Sequence, residues 1–175
     1  MENKDEIIPY EKVFRELNKA GVDYLVCGGT AVVMLGFART TIDLDLIVAM
    51  EKENLEKVYD VMASLGFKIA VPVGRDEFTN KKTLARLGKE KNMKVVSFNN
   101  PKNPLEIVDI GVNLPDIVRI LGNKKFIQVE DLIIPVIFIK DLIKMKKDLA
   151  RPKDIIDAQN LKEIQKYEKR KTKND

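Results

Sequence analysis

Two periods of apolar spacing alternate along the chain, and they predict the order of its helices and strands. Apolar residues at helical spacing (Val13, Phe14 and Leu17) predict a first helix over residues 7–20, which Gly21 ends. Short apolar runs bounded by turn residues predict strands instead. The remaining predicted elements are a strand over 22–27, a helix over 30–35, a strand over 41–49, a helix over 51–66, a strand over 67–73, a polar helix over 76–91, strands over 94–98 and 105–111, a helix over 115–121, strands over 126–129 and 133–138, and helices over 140–149 and 152–169.

This order predicts a mixed α/β fold of the α+β class and not a regular βαβ repeat. The length of 175 residues fits one domain over residues 1–175, with a core over about 6–138 and a C-terminal helical pair over about 139–169. Pro135 fits an edge strand because proline lacks the N–H of a ladder bond. Pro152 fits the first position of the last helix.

Composition excludes several kinds of chemistry. The chain has no histidine, which excludes Ser-His-Asp and Cys-His catalysis and histidine-ligated zinc. Cys27 is the one cysteine and cannot form an internal disulfide. No apolar run is long enough to span a bilayer, so we expect a cytoplasmic protein without a membrane partner.

The net charge of +4 favours an anionic partner. Much of this charge lies in the basic tail 166–175, which is either a solvated helix end or an RNA contact.

Two carboxylates lie within an apolar strand. Asp43 and Asp45 are separated by one residue, and their side chains leave the same face because strand side chains alternate. Ile42, Leu44 and Leu46 are expected to pack on the other face. Burial of such a pair is costly unless a cation neutralises it, and magnesium prefers oxygen ligands. The pattern indicates a divalent metal site or, alternatively, a solvent-facing strand edge.

A glycine-rich turn precedes this strand. Gly28, Gly29 and Thr30 lie where a strand passes into a helix. Glycine allows the backbone to approach a ligand closely, and helix N-termini attract phosphate. The turn is therefore either a phosphate-binding turn, with Thr30 as helix cap or phosphate ligand, or a plain connection. It is neither a P-loop nor a dinucleotide-binding fingerprint.

Taken together, these residues resemble the signature of the nucleotidyltransferase superfamily related to DNA polymerase β. The shared pattern is Gly-Gly, thirteen residues, and then Asp-Leu-Asp-Leu in a strand. The resemblance implies a mixed sheet flanked by helices, NTP phosphates at the glycine turn, and Mg²⁺ or Mn²⁺ on Asp43 and Asp45. Arg39 resembles the lead-in residue of this group. It is expected either to meet the triphosphate or to be a surface arginine.

The same resemblance implies a third carboxylate on a neighbouring strand. Glu106 and Asp109 are the candidates, and at most one of them belongs to the site because residues three apart leave opposite faces of a regular strand. Asp109 is favoured, since Val-Asp-Ile is more similar to the family's third-aspartate segment. Glu106 remains the alternative metal ligand.

The C-terminal segment 134–161 resembles that of AbiEii-type nucleotidyltransferases. Lys140, Lys144 and Lys147 fall on one helix face. Lys144 is the one that the resemblance places nearest to nucleotide phosphates. The residues expected to cap and ion-pair the joint between the last two helices are Arg151, Lys153, Asp154 and Asp157.

The predicted function is transfer of an NMP from an NTP to a hydroxyl, with Asp43, Asp45 and Asp109 as the catalytic metal ligands. The acceptor implied by the AbiEii-type resemblance is RNA, in particular tRNA in a toxin–antitoxin context. One alternative is a small-molecule antibiotic nucleotidyltransferase. Another is a non-catalytic nucleotide-binding module that acts with a cognate partner protein, as an antitoxin does.

Overall fold

The structure is a computed structural model and describes residues 8–174. Ile7, where the first helix is predicted to begin, lies outside the described residues, as do the predicted start of the core at residue 6 and both ends of the predicted domain, at Met1 and Asp175.

A seven-stranded mixed sheet forms the centre of the fold. Its strands are β1 (Tyr24–Cys27), β2 (Leu44–Val48), β3 (Lys68–Ile69), β4 (Val95–Asn100), β5 (Asn103–Gly111), β6 (Lys124–Val129) and β7 (Leu132–Ile137). They lie side by side in the order β3-β4-β5-β2-β1-β7-β6. The β2–β5 and β1–β7 pairs are parallel, and the other pairs are antiparallel. The predicted mixed α/β fold is confirmed.

Helices connect these strands. They are α1 (Glu11–Lys19), α2 (Gly28–Met34), α3 (Lys52–Ser64), α4 (Arg75–Phe78), α5 (Lys81–Lys91), α6 (Ile117–Gly122), α7 (Ile139–Leu149) and α8 (Pro152–Asn174). Helix α2 packs on β1, β2 and β7, and the last two helices, α7 and α8, pack against each other. Pro152 begins α8, as the sequence predicts.

Two predicted elements differ in length or continuity from those in the structure. The polar helix predicted over 76–91 is two helices, because the side chain of Asn80 caps α5 by accepting from the N–H groups of Lys82 and Thr83. The strand predicted over 67–73 shortens to Lys68–Ile69, which pairs only with β4 at the edge of the sheet.

Two predictions about side-chain placement are wrong. Pro135 does not lie on an edge strand, since β7 is between β1 and β6. A proline is tolerated there because β7 registers with β1 only at Val136, opposite Val26. Ile42 does not pack with Leu44 and Leu46: it precedes β2 and is 55% exposed, whereas both leucines are fully buried.

The core lies along the inner strands. All four residues of β1 are buried, and β2 buries every residue except Asp45, which is half-buried. A polar side chain in that position stands out against its neighbours. Among residues 8–174, no helix is long and apolar enough to cross a membrane.

Candidate active site

Three aspartates meet on one face of the central strands. Asp45 of β2 pairs in register with Asp109 of β5, so the two side chains leave the sheet side by side. Asp43 immediately precedes β2 and shares this face. One carboxylate oxygen from each residue lies within 4.8 Å of the others. We call Asp43, Asp45 and Asp109 the acidic triad.

The carboxylates of the acidic triad repel one another. Burial, followed by repulsion from Asp43 and Asp109, raises the pKa of Asp45 to about 6. Asp109 Oδ1 is buried and has no hydrogen-bond partner among residues 8–174. A buried polar atom without a partner is unusual and indicates a missing ligand. Three carboxylates are the oxygen donors that Mg²⁺ and Mn²⁺ prefer, so the residues fit a divalent cation.

Gly28 lies against the acidic triad. Its φ of +62° is a left-handed conformation that glycine adopts readily. A Cβ atom at this position would lie 1.8 Å from Asp45 Oδ2, so only glycine leaves room for that carboxylate. The backbone N–H of the next residue, Gly29, hydrogen-bonds Asp45 and acts to lower its pKa, although burial outweighs this effect. The glycine turn therefore positions Asp45.

Thr30 and Thr41 hold the segment that leads into β2. The Thr30 hydroxyl donates to the carbonyl oxygen of Asp43 at 3.1 Å, and Thr30 is buried. Thr41 Oγ1 lies 3.5 Å from Asp43 Oδ1. In this structure Thr30 thus supports the backbone of Asp43, while its predicted role as a phosphate ligand stays a prediction.

A cleft of about 420 Å³ opens in front of the acidic triad. The basic side chains that line it are Arg39, Lys94, Lys146, Arg151 and Lys153. Such a concentration of cations next to three carboxylates that fit a divalent cation suits a polyphosphate. The cleft also has apolar lining residues, among them Leu114, Met145 and Leu149.

A network of ion pairs around two buried aspartates holds three of these cations. Lys146 Nζ lies 3.0 Å from Asp154 Oδ1 and 2.9 Å from Asp157 Oδ2. Arg39 Nη1 lies 2.6 Å from Asp157 Oδ2, and Arg151 Nε lies 2.5 Å from Asp154 Oδ2. The predicted ion pairing at the joint of α7 and α8 is confirmed for Arg151, Asp154 and Asp157, whereas Lys153 lines the cleft. The network extends to Arg39 across 118 residues of sequence. Arg39 is thereby fixed at the rim of the cleft.

Lys146 is the functional candidate that the sequence analysis missed. Its side chain is only 4% exposed, and its charge acts to lower the pKa of Asp45. A signal was present in the sequence. Lys146 continues the buried stripe of Ile139, Leu142 and Ile143 at positions i, i+3, i+4 and i+7 of α7, where a lysine is unexpected.

The structure does not bring Lys144 or Glu106 to the acidic triad. Lys144 is exposed, pairs with Asp148 at 3.0 Å and is absent from the lining of the cleft in front of the acidic triad. The Glu106 carboxylate accepts from the side-chain amides of Asn100 and Asn103 at 2.6 and 2.9 Å. Of the two alternative third carboxylates, Asp109 is the one that lies beside Asp43 and Asp45.

Comparison with known proteins agrees with this geometry. Residues 7–174 match a family model described as "Nucleotidyl transferase of unknown function (DUF2204)". The fold and the acidic triad thus belong to a protein of the nucleotidyltransferase class. The match spans almost the whole chain, and the chain is a member of this family. No curated protein matches the sequence.

Solved structures share the fold at low sequence identity. The lincosamide antibiotic adenylyltransferase LnuA, solved with lincomycin bound, is 18% identical with a TM-score of 0.57, and the match covers 90% of this chain and 98% of that one. A protein from Thermotoga maritima described as a nucleotidyltransferase is 16% identical with a TM-score of 0.55, covering 93% and 97% of the two chains. An antigenic nucleotidyltransferase-like protein from Paracoccidioides brasiliensis is 14% identical with a TM-score of 0.54, covering 85% and 71%.

The acidic triad predicts a metal-dependent change in thermal stability. Mn²⁺ at about a hundred times its dissociation constant should stabilise the folded protein by about 2.7 kcal/mol and raise the melting temperature by several degrees. Asp109→Asn should remove this response. Without metal, the variant should melt no lower than the wild type, because it removes one of three repelling charges. Equal stabilisation of both proteins by Mn²⁺ would mean that the metal binds elsewhere.

Proposed function

We propose that the protein is a metal-dependent nucleotidyltransferase that transfers an NMP from an NTP to a hydroxyl group. The observation that carries this proposal is the acidic triad with its unpartnered Asp109 oxygen, at the floor of a cleft lined by basic side chains. In the reaction, the acceptor oxygen forms a bond to the α-phosphorus while the bond from that phosphorus to the bridging oxygen breaks. Pyrophosphate leaves, and the hydroxyl proton passes to solvent.

Each part of the site has a role in this proposal. Asp43, Asp45 and Asp109 hold Mg²⁺ or Mn²⁺, and the bound cation neutralises charge on the phosphate oxygens. Gly28 and Gly29 let the triphosphate approach the backbone beside Asp45. The remaining proposed phosphate contacts are Thr30, Arg39 and Lys146.

Positioning and charge neutralisation supply the acceleration in this scheme. Arg39 and Lys146 are already fixed by Asp157, so they lose little conformational freedom when a phosphate binds. Lys144 stays outside the proposed set because its ammonium group faces Asp148 at the surface.

Pyrophosphate release tests the proposal directly. The protein is incubated with each of ATP, GTP, CTP and UTP and with Mg²⁺, in the presence of total tRNA or of lincomycin. We expect pyrophosphate to appear with at least one NTP and to disappear when the metal is chelated. Tight NTP binding without pyrophosphate under all these conditions would instead favour a non-catalytic module, such as an antitoxin-like partner.

Two classes of acceptor follow from different observations. An RNA acceptor, with the toxin–antitoxin role of AbiEii-type proteins, is supported by the net charge of +4 and by exposed basic residues near the end of α8, among them Lys169 and Arg170. A small-molecule acceptor is supported by the likeness to LnuA, nearly all of which is matched by this chain. Binding that weakens steeply as salt rises would identify the polyanion, because phosphate contacts release counterions.

The cellular location is part of the same proposal. We place the protein in the cytoplasm, where NTPs and tRNA are present. The thiol of Cys27 supports this placement because it is free and buried.

A further inference from the structure

A second cavity adjoins the catalytic cleft and has no role in the proposed function so far. Its volume is about 510 Å³, within the range of small-molecule sites. It lies between the start of α1, the end of α3 and the β4–β5 hairpin. Its lining includes the side chains of Tyr10, Lys12, Thr41, Ile42, Leu105 and Glu106. We call it the hairpin cavity.

The hairpin cavity and the catalytic cleft share one residue. Thr41 lines both, and its hydroxyl oxygen lies 3.5 Å from Asp43 Oδ1. Strand β2 begins only at Leu44, so the segment 41–43 is the thin wall between the two spaces. Glu106 and Asp109 leave β5 on opposite faces. Segment 41–43 therefore separates the hairpin cavity beside Glu106 from the catalytic cleft beside Asp109.

Tyr10 fixes this wall. Its hydroxyl donates to the carbonyl oxygen of Ile42 at 2.5 Å and accepts from the N–H of Ile107 at 3.1 Å. It thus takes the place of the strand pairing that would continue from Leu44 and Val108. Burial raises the pKa of Tyr10, and Asp43, Glu106 and Asp109 add to the shift. The phenol is therefore within electrostatic reach of both the acidic triad and Glu106.

The lining of the hairpin cavity is electrically balanced and amphipathic. Among residues 8–174, its charged side chains are Glu106 and Lys12, one of each sign, whereas the catalytic cleft carries five basic residues. Ile42 and Leu105 form the apolar part of the lining, and their side chains are 55% and 67% exposed. The Glu106 carboxylate is held in place by two asparagine amides and keeps lone pairs for further donors.

We propose that the hairpin cavity binds the acceptor of the transferred nucleotide, and that this acceptor is a small, neutral, polyhydroxylated molecule with an apolar portion. The inference rests on the proposed function. Hydroxyl groups of the acceptor donate to Glu106, and its apolar portion packs on Ile42 and Leu105. Glu106 and Asp109 are three positions apart on β5, which corresponds to about 10 Å along the strand. An acceptor held at Glu106 therefore has to be about two rings long to extend around Thr41 to the reaction centre.

Phenyl β-D-glucoside is a suitable probe, because it is neutral, carries four hydroxyl groups and ends in an apolar ring. We expect it to shift the methyl NMR signals of Ile42 and Leu105 at millimolar concentrations, in protein without metal. The methyl groups of Ile133, which is exposed on β7, provide the internal control and should not shift. Absence of shifts at Ile42 and Leu105 would overturn the inference.

Two variants test the residues that define the ligand class. Glu106→Gln should weaken binding of the probe about tenfold, because it removes a charged hydrogen-bond acceptor. Leu105→Ser should also weaken it, and this exposed residue can change without disturbing the core. Glu90→Gln, at an exposed position of α5, is the matched control and should bind the probe as the wild type does.

A paramagnetic measurement tests whether the bound probe lies near the reaction centre. With Mn²⁺ on the acidic triad, the proton signals of the bound probe should broaden, and Asp109→Asn should abolish the broadening. Methyl shifts without broadening would show a ligand site that is not the acceptor site. Displacement of the probe by tRNA would indicate a polyanionic acceptor, and either result overturns the inference. If Mn²⁺ does not bind the wild type, the proposed function is wrong. The methyl shifts measured without metal still test whether the hairpin cavity binds the probe.

Discussion

Asp45→Asn should reduce nucleotide transfer by about 10³-fold or more, because the variant loses a central ligand of the proposed metal site. A bound divalent cation supplies several kcal/mol of charge stabilisation in phosphoryl transfer, and each 1.36 kcal/mol corresponds to a factor of ten in rate. Asparagine keeps the shape of the side chain and can still accept the hydrogen bond from Gly29. The fold should therefore be retained, which circular dichroism and thermal melting would verify.

Asp76→Asn provides the matched control for this experiment. Asp76 is exposed in α4 and lies outside the lining of the cleft in front of the acidic triad. Its substitution by asparagine removes the same charge and should leave turnover within about twofold of the wild type. Wild-type turnover by Asp45→Asn, measured with the same NTP and acceptor, would remove the catalytic assignment.

Lys146→Met should have the largest effect on stability, because the buried carboxylates of Asp154 and Asp157 then have one cation fewer to balance their charge. Removal of one partner from a buried ion pair typically destabilises a protein by about 3–5 kcal/mol. Asp154 keeps Arg151 and Asp157 keeps Arg39, so we expect a loss near the lower end, about 3 kcal/mol. Urea denaturation would measure the loss as a lower midpoint with an unchanged slope.

The pH dependence of that loss identifies its cause. Burial acts to raise the pKa of Asp154, but the hydrogen bonds from Arg151 and Lys146 outweigh it, and the pKa is lowered. A carboxyl group with a lowered pKa stabilises the fold above its unfolded pKa of about 3.9, and this stability is lost as the pH falls through the folded value. Without Lys146 the Asp154 carboxyl group takes up a proton more easily. The difference between wild type and Lys146→Met should therefore shrink as the pH falls towards 4.

Lys140→Met is the control for the stability experiment, since Lys140 is exposed in the first turn of the same helix. Its effect should stay within about 0.5 kcal/mol. A loss below about 1 kcal/mol for Lys146→Met at pH 7 would contradict the view that the ion-pair network is tightly coupled.

The parts of the site that the sequence predicts are those set by local geometry. Asp43 and Asp45 share a face because strand side chains alternate, and Gly28 is close to them in sequence. The same alternation allowed only one of Glu106 and Asp109 to join them. The structure places Asp109 there because β5 pairs in parallel with β2, at the register that sets Asp109 beside Asp45.

The parts that escaped prediction depend on contacts between distant segments. Arg39 is fixed by Asp157, which follows it by 118 residues, and no local pattern reveals that pair. Lys146 is hard to predict from the sequence because lysines on helices are usually solvated, and only tertiary packing buries it between α7 and α8. Ile42 was assigned to the strand by its apolar character, but β2 starts two residues later, and this leaves the side chain in the hairpin cavity.

Anomalous diffraction from crystals grown with Mn²⁺ and a non-hydrolysable NTP would show directly whether the acidic triad binds the metal beside a triphosphate. We expect a manganese peak among the carboxylate oxygens of Asp43, Asp45 and Asp109, with the triphosphate beside Gly28 and Gly29. A triphosphate bound away from these residues, or saturating Mn²⁺ without a peak at the acidic triad, would contradict the proposed function.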